Sequence, residues 1–263
     1  MIPLQEQDRL REYFAQQLTG GVKIEHFTQR PLSILVAGRD ECQFCDETRA
    51  LLEELRSLSP KISLRVQELS EAGKAAASAG IERAPATVLR GQLNRPVRFE
   101  GFMGAGLFPP FVDALVHAAR GATDVDPRLK RRIGRIRDQV TLRVYIAISS
   151  PLSAVVMQTA YALALENQRL KVSVIEVEEF PRVAQALRIS TVPFTVINER
   201  LRFAGALPPD ALLDMIERGA EGRGLTAAEN LLQRPLGPTT PLAQPQPEQP
   251  QRTAGGLILP GRG

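Results

Sequence analysis

The chain is poor in the residues that secreted scaffolds and metal centres use. It contains 2 cysteines, 2 histidines and no tryptophan. Two cysteines exclude a secreted scaffold held together by several disulfides. Cys42 and Cys45 are far in sequence from His117, and His26 offers only one more ligand. Because a mononuclear zinc site needs a cluster of such ligands, we expect no metal centre.

Long apolar runs and a cationic leader are also missing. No stretch approaches the roughly 18 apolar residues of a membrane span. Met1–Arg9 holds acids and amides where a signal peptide has a cationic start and an apolar stretch. We therefore expect a cytoplasmic protein with no membrane partner. The net charge of +4 and 5% aromatic residues give too little cationic and stacking surface for a nucleic-acid partner.

What is present indicates a duplication. The length of 263 residues fits one large domain or two of about 100–120 residues. Residues 108 positions apart match, without a gap from the first predicted strand to the third: Val144 over Val36, Val174 over Val66, Ile189 over Ile81, Pro193 over Pro85 and Thr195 over Thr87. The sequence therefore predicts an α/β fold with two copies of one β-α-β-α-β-β-α unit.

Hydrophobic periodicity predicts the individual elements. In the first copy, strands are expected at Leu32–Ala37, Ile62–Val66, Ala86–Leu89 and Val97–Phe102. In the second copy, they are expected at Leu142–Ile148, Lys171–Val177, Phe194–Ile197 and Leu201–Phe203. An additional helix is predicted at about Leu4–Leu18.

Composition divides the chain into four segments. Residues 1–122 are expected to form the first unit with its N-terminal helix, and residues 139–224 the second. Residues 123–138 are predicted to be a basic linker helix with one apolar stripe. Residues 225–263 are rich in proline and glutamine, which predicts a disordered tail. The apolar island Leu257–Leu259 in this tail is a candidate docking motif.

The two cysteines form a Cys-x-x-Cys motif that directly follows a predicted strand and opens a helix. Residues i and i+3 in the first turn of a helix face the same way, so the two sulfurs can close a disulfide. The helix N-terminus favours a thiolate on the first cysteine. We therefore predict a redox-active disulfide and no bound cofactor, with Cys42 as the nucleophile and Cys45 as the resolving thiol.

A strand, a Cys-x-x-Cys motif and a proline about 40 residues later resemble the thioredoxin fold. Two such units after an N-terminal helix resemble the two-domain, glutaredoxin-like protein disulfide oxidoreductases, described mainly from thermophilic archaea and bacteria. The similarity spans about Leu4 to Arg218 and is closest in Asp40–Asp46 and Arg83–Thr87. The resemblance implies that Pro85 is cis and faces the cysteines. It also implies that Ala84 offers its backbone to a substrate peptide.

The second half departs from that family. The positions equivalent to the cysteines are Ser150 and Ser153, where the family usually has a second Cys-x-x-Cys motif. Serine cannot form a disulfide, so we expect this unit to be redox-inactive and to serve as a structural or substrate-holding partner that keeps Pro193. Leu152 stands in place of the usual aromatic residue, which favours natural loss over engineered Cys→Ser changes. A serine-nucleophile enzyme is disfavoured because neither histidine lies in this half.

Two further residues are candidates for the first site. Glu68, at the end of the second strand, is a candidate proton acceptor for the resolving thiol, or simply an exposed glutamate at a strand end. Phe44 is a candidate contact for apolar substrate segments, or it packs on Pro85.

These observations favour a protein thiol–disulfide oxidoreductase that acts on protein thiols and disulfides. The resemblance implies a thioredoxin reductase-like flavoenzyme as its electron partner. One alternative is a disulfide carrier dedicated to a flavoprotein peroxide reductase. Another is a non-enzymatic binding module whose cysteine pair is vestigial or holds zinc between two chains.

Overall fold

The computed structural model describes residues 2–30, 42–225 and 235–242. Its helices are α1 Leu4–Gln17, α2 Cys45–Ser57, α3 Leu69–Ala79, α4 Phe108–Arg120, α5 Pro127–Ile133, α6 Leu152–Glu166, α7 Pro181–Leu187 and α8 Pro209–Ala220. Its strands are β1 Val22–Thr28, β2 Ile62–Glu68, β3 Ala86–Arg90, β4 Val97–Glu100, β5 Val140–Ile146, β6 Leu170–Glu176, β7 Thr191–Val192, β8 Phe194–Ile197, β9 Leu201–Ala204 and β10 Thr240–Pro241.

Eight of these strands form one mixed sheet in the order β2-β1-β3-β4-β6-β5-β8-β9. Each half of the order repeats one pattern: the first two strands of a unit pair in parallel, and the remaining pairs are antiparallel. Parallel pairing of β4 with β6 joins the two halves. The predicted duplication is therefore present as two α/β units whose sheets are continuous.

The first strand corrects the sequence analysis. The predicted strand Leu32–Ala37 lies outside the described residues, and β1 at Val22–Thr28 takes the central position instead. In β1, His26 lies opposite Thr87, as Val144 lies opposite Thr195 in the second unit. The two units therefore match at a spacing of 118 there and not at 108, and the prediction of a gap-free match was wrong for this strand. The charged residues of β1 hid it beside the more apolar run that follows.

From α2 to β3 the spacing of 108 holds, and it falls to 104 at β4 and β9, where Phe99 lies opposite Thr87 as Phe203 lies opposite Thr195. The first residue of β2, Ile62, lies at the position of Leu170 at the start of β6, and β3 and β8 begin at Ala86 and Phe194. Helix α2 buries Leu52 and Leu55 completely. Because apolar residues at helical spacing are most stable against a core, this stripe fixes which face of α2 meets the sheet.

The two units share one hydrophobic core. Residues of α4 and of α6 belong to the same buried cluster. The ring of Tyr161 in α6 is buried, and its hydroxyl donates a hydrogen bond of 2.6 Å to the carbonyl of Arg98 in β4. Burial of a side chain of this size stabilises the folded state by about 2–3 kcal/mol. The core thus holds the first unit against the second.

Helix α5 lies between the units and packs by one apolar face. Leu129 and Ile133 are buried, whereas Arg132 reaches α8. The Arg132 guanidinium donates a hydrogen bond of 2.5 Å to Asp214 and one of 2.7 Å to Glu217. No helix in the described part of the chain is both long enough and apolar enough to cross a membrane.

Part of the predicted disordered tail is ordered. Residues 235–242 are described and lie against the second unit, where β10 pairs with β7 in antiparallel fashion. The Leu236 amide donates to the carbonyl of Ala204 at 2.8 Å, and the Ala206 amide donates to the carbonyl of Pro238 at 2.8 Å. These backbone bonds order a segment that composition alone suggests is disordered. The island Leu257–Leu259 lies outside the described residues.

Candidate functional site

Cys42 and Cys45 are joined by a disulfide with an S–S distance of 1.97 Å and a Cα–Cα distance of 5.5 Å. The two residues do not share the first helical turn, as the sequence analysis supposed, because α2 begins at Cys45. A turn at Gln43 and Phe44 brings Cys42 back over the helix start. Cys45 is buried, with 3% of its surface exposed, whereas Cys42 is half-buried.

The turn between the cysteines is held by α2. The Phe44 carbonyl accepts the amide of Thr48 at 3.0 Å and the hydroxyl of Thr48 at 2.6 Å. The sulfur of Cys45 accepts the amide of Gln29, just after β1, at 3.2 Å. The buried sulfur is therefore tied both to the helix and to the end of the central strand.

Phe44 packs on another ring of the first unit. Its ring stacks on Phe102 with centroids 5.1 Å apart and planes inclined by 17°. Phe102 also lines a cleft of about 570 Å³ between α1, α2 and α4. Leu10 and Val112 form part of its apolar wall. The disulfide turn thus lies one aromatic ring away from an apolar cleft.

Ala84 and Pro85 lie in the loop that enters β3. Both are buried, and the peptide bond between them is cis. The carbonyl of Pro85 accepts the amide of Gly101 at 2.8 Å. Gly101 has φ +114°, and a Cβ there would come within 2.7 Å of the Glu176 Cβ. A glycine is required at this point because the second unit approaches so closely.

Glu68 occupies the end of β2 and binds Arg30, the second residue after β1. Its Oε1 accepts the amide of Arg30 at 2.9 Å, and its Oε2 lies 3.6 Å from the Arg30 guanidinium. Glu176 has the equivalent place in the second unit and accepts the amide of Ile148 at 3.2 Å. Burial raises the pKa of Glu176 to about 7, against three backbone donors that lower it. The same acid therefore closes the same loop in both units.

Glu179 is a residue near the disulfide that sequence reasoning missed. It belongs to the second unit, and its carboxylate lies near the backbone of Gln43 and Phe44 in the first unit. Burial raises the pKa of Glu179, and the backbone of these two residues opposes that rise. Its distance along the chain from the cysteines left no local signal, because the contact depends on how the units pack.

A second contact between the units lies beside Ala84. The guanidinium of Arg83 lies 5.5 Å from the centre of the Phe180 ring and forms an ion pair with Glu100. Burial raises the pKa of Glu100, while the charge of Arg83 lowers it. Charged and aromatic groups from both units thus surround the loop that precedes Pro85.

The serine site of the second unit repeats the geometry of the cysteine site. The Ser153 hydroxyl accepts the amide of Ala147 at 3.2 Å and donates to the carbonyl of Ala147 at 2.7 Å. Ser150 is also buried, and its hydroxyl lies 2.8 Å from the hydroxyl of Thr240 in β10. The peptide bond from Val192 to Pro193 is cis. Two hydroxyls and a segment of the tail thus stand where the first unit has its disulfide.

No cluster of three or more side chains able to hold a metal ion occurs among the described residues. The redox group that the structure contains is the disulfide itself.

The comparisons with known proteins agree with this architecture. Residues 153–217 match the family model of the thioredoxin domain. No curated protein sequence matches the chain. A protein disulfide oxidoreductase from Aeropyrum pernix K1 is 20% identical, with a TM-score of 0.73 over 86% of this chain and 97% of that chain. The C503A mutant of the alkylhydroperoxide reductase AhpF from Enterococcus faecalis is 19% identical, with a TM-score of 0.70 over 81% of this chain and 98% of that chain.

The NTD_N/C domain of the same Enterococcus faecalis reductase is 18% identical, with a TM-score of 0.71 over 82% of this chain and 100% of that chain. The fold class expected from the sequence is confirmed. The chain consists of two tandem thioredoxin-fold units and resembles a two-domain disulfide oxidoreductase, with one disulfide-forming cysteine pair in its first unit.

Proposed function

We propose that the chain is a protein thiol–disulfide oxidoreductase, with Cys42 as the nucleophile and Cys45 as the resolving thiol. The observation that carries this proposal is the asymmetry of the disulfide at the start of α2. Cys42 is half-buried, whereas the sulfur of Cys45 is buried and hydrogen-bonded to Gln29. The more accessible thiol is the one that a substrate disulfide can reach.

The exchange takes place in two steps. The Cys42 thiolate attacks one sulfur of a substrate disulfide, forms a mixed disulfide and releases the first substrate thiolate. The Cys45 thiolate then attacks the Cys42 sulfur, closes the disulfide and releases the second substrate thiolate. The substrate gains two electrons and the cysteine pair loses two. The reverse sequence oxidises a dithiol substrate.

Cys45 must lose its proton before it attacks, and two carboxylates are candidates to accept it. Glu68 is the sequence-based candidate, and it is occupied with Arg30. Glu179 is the structural candidate, because it meets the backbone of Gln43 and Phe44 between the two sulfurs. Burial raises the pKa of Glu179, which makes its carboxylate a better proton acceptor than an exposed one.

The substrates proposed are proteins that present an extended segment near Cys42. Ala84 would offer its backbone to this segment, with Pro85 fixing the loop. The Phe44 ring and the apolar cleft behind Phe102 would receive its apolar side chains. The proposed electron partner is a thioredoxin reductase-like flavoenzyme in the cytoplasm, and the proposed redox group is the disulfide, without a bound cofactor.

The test traps the mixed disulfide. A Cys45→Ser variant retains the nucleophile but cannot release a bound substrate, so it should accumulate a covalent adduct with a disulfide-bonded model protein. The matched Cys42→Ser variant should form no adduct. Mass spectrometry after acid quenching measures both. Adduct formation by Cys42→Ser and not by Cys45→Ser would contradict the assigned roles, and absence of any adduct would contradict the proposed function.

A second candidate is a carrier dedicated to a flavoprotein peroxide reductase. The structural similarity to the alkylhydroperoxide reductase AhpF favours it. The two candidates differ in substrate range, because a dedicated carrier should exchange rapidly with one flavoprotein and slowly with unrelated protein disulfides. Rates measured with both substrate classes separate them. The unit boundaries of residues 1–122, 123–138, 139–224 and 225–263 stay predictions.

A further inference from the structure

Residues 235–242, named here the tail strand, lie in a groove of the second unit, with a bend at Leu236 and Gly237 and antiparallel pairing at Thr240 and Pro241. We propose that the second unit is a peptide-binding module and that the tail strand is its built-in ligand, which keeps the groove closed to segments of other proteins. This proposal concerns a binding site and does not depend on redox chemistry in the first unit.

Backbone hydrogen bonds hold the tail strand at both of its ends. Thr240 lies opposite Val192 in antiparallel pairing, and the amide of Leu242 donates to the carbonyl of Ser190 at 3.0 Å. At the other end, the amide of Leu236 donates to the carbonyl of Ala204, the last residue of β9, and the carbonyl of Pro238 accepts the amide of Ala206. An added strand of this kind is a general mode of peptide recognition, in which main-chain bonds give affinity and pockets for side chains give specificity.

Side chains give the groove its selectivity. The Thr240 hydroxyl is 2.8 Å from the hydroxyl of Ser150, at the position that the nucleophilic cysteine has in the first unit. Leu236 packs against the large core cluster, and Leu242 packs against the smaller cluster that contains Val192. The ligand class is therefore an extended segment with a small hydroxyl residue between two apolar anchors.

Gly237 adds a steric requirement. Its φ is ordinary, but a Cβ at this position would lie 2.3 Å from the carbonyl oxygen of Ala206. A Cβ on Gly205 would in turn lie 2.4 Å from the amide nitrogen of Gly237. Two backbones approach so closely here that there is no room for a side chain. The groove therefore requires a glycine at this position of the segment.

The comparison with the first unit argues that this is a ligand contact and not a part of the repeated fold. Within the ranges that the structure describes, no strand pairs with Arg83 and Ala84, the residues equivalent to Thr191 and Val192. Nine residues, 226–234, separate Leu225 from Pro235. A tether of this length gives an effective concentration on the order of millimolar. The short pairing of β10 with β7 can thus form in the intact chain, although it is weak enough to break by local unfolding.

The first test uses cross-linking to determine where the tail strand lies when the protein is in solution. Because the chain has only two cysteines, Cys42→Ser and Cys45→Ser give a background without thiols. Two double variants are compared in this background: one carries Ser150→Cys and Thr240→Cys, and the other carries Ser150→Cys and Thr239→Cys. The second is the control, because successive side chains of a strand point to opposite faces. In glutathione buffers, the 150–240 pair should form an intramolecular disulfide at least about tenfold more favourably than the 150–239 pair. Equal disulfide formation in the two pairs would overturn the proposed position of the tail strand.

The second test opens the groove. A chain that ends at Arg234 is titrated with a fluorescent peptide of residues 235–242, and the full chain is titrated in parallel. The shortened chain should bind one peptide at least about tenfold more tightly than the full chain, where the tethered copy competes. A peptide with Gly237→Val is the matched control and should lose this binding.

If the shortened chain does not fold, as judged by circular dichroism, the titration is made on the full chain carrying Gly237→Val, which expels the tail strand by its clash with Ala206. Equal affinity of the opened and closed chains, or no binding by an opened chain that is folded, would overturn the proposal.

Discussion

In the first unit the amide of Gln29 donates to the sulfur of Cys45, and in the second the amide of Ala147 donates to the hydroxyl of Ser153, both at 3.2 Å. A backbone amide thus holds the buried member of each pair in the same way, but the acceptor is a sulfur in the first unit and a hydroxyl oxygen in the second. Sulfur can be oxidised to a disulfide and the serine hydroxyl cannot. The local scaffold is therefore the same at a site that forms a disulfide and at a site that cannot form one.

The second difference is what lies over each site. The Ser150 hydroxyl contacts Thr240 of the tail strand, whereas the turn of Gln43 and Phe44 meets Glu179 from the neighbouring unit. One site is covered by the tail strand, and the other is bordered by an acid. The comparison teaches that the unit without cysteines has a segment of its own chain at the position where the other unit has its disulfide.

The largest expected effect is on exchange activity. Replacement of Cys42 by serine makes the first unit resemble the second at its nucleophile, so turnover of a disulfide-bonded model protein should fall to the uncatalysed background. Ser78→Ala, on the exposed face of α3, is the control and should retain turnover. Activity that persists in the Cys42 variant would show that the two sites do not differ in the way proposed.

The next effect is the pH dependence of stability that Glu176 confers. Burial raises its pKa from 4.5 to about 7, so the folded state binds its proton more tightly than the unfolded state does. The associated stability is fully present below about pH 4.5 and is lost as pH rises through about 7, a change of about 3 kcal/mol. Denaturant unfolding between pH 5 and 8 measures this loss.

Glu176→Gln does not titrate and should flatten that pH dependence. If the unfolding free energy of this variant depends on pH as steeply as that of the wild type, Glu176 is not the cause of the pH dependence.

A smaller effect is expected when cysteines are returned to the second unit. Ser150→Cys with Ser153→Cys, in a background of Cys42→Ser and Cys45→Ser, should form a disulfide because the local scaffold is retained. Its exchange with protein substrates should be slow while the tail strand is bound. Ending this chain at Arg234 should raise the rate about tenfold, in line with the competition expected from a tethered ligand.

That result would show that the tail strand closes a groove that otherwise accepts substrates. The same low rate with and without the tail strand would show that loss of sulfur was not the only change that inactivated the second unit.

The smallest effect concerns Glu179. Its carboxylate lies near the backbone of Gln43 and Phe44, and its negative charge opposes formation of a Cys42 thiolate. Glu179→Gln removes the negative charge, favours the reduced pair and should raise the reduction potential by on the order of 20 mV at neutral pH. The difference from the wild type should shrink as pH falls through the raised pKa of Glu179, because the wild-type carboxylate then becomes neutral. A pH-independent difference would indicate a structural effect instead.

Much of this fold could be predicted from sequence, because apolar periodicity marks buried faces regardless of the rest of the chain. The duplication is visible in residues that match at a spacing of 108, and the cysteine pair and the prolines at 85 and 193 are visible as motifs. Strand β1 could not be separated from the apolar run that follows it, since a central strand with Lys23 and Glu25 looks less buried than Leu32–Ala37.

The remaining features depend on long-range packing. Glu179 comes near the cysteines only because β4 and β6 join the two sheets. The tail strand is held mainly by backbone hydrogen bonds, which no pattern of side chains reveals. Proline-rich composition correctly signals a segment that does not form a core of its own, but it does not show that a preformed groove can order it.

The most direct test of the central claim is a redox titration of the wild-type chain. The protein is equilibrated in graded glutathione or dithiothreitol buffers and alkylated, and the mass shift reports the state of Cys42 and Cys45. The account predicts a reversible two-electron transition between roughly −150 and −300 mV. A pair that stays reduced throughout this range, or that purifies with zinc, would contradict it.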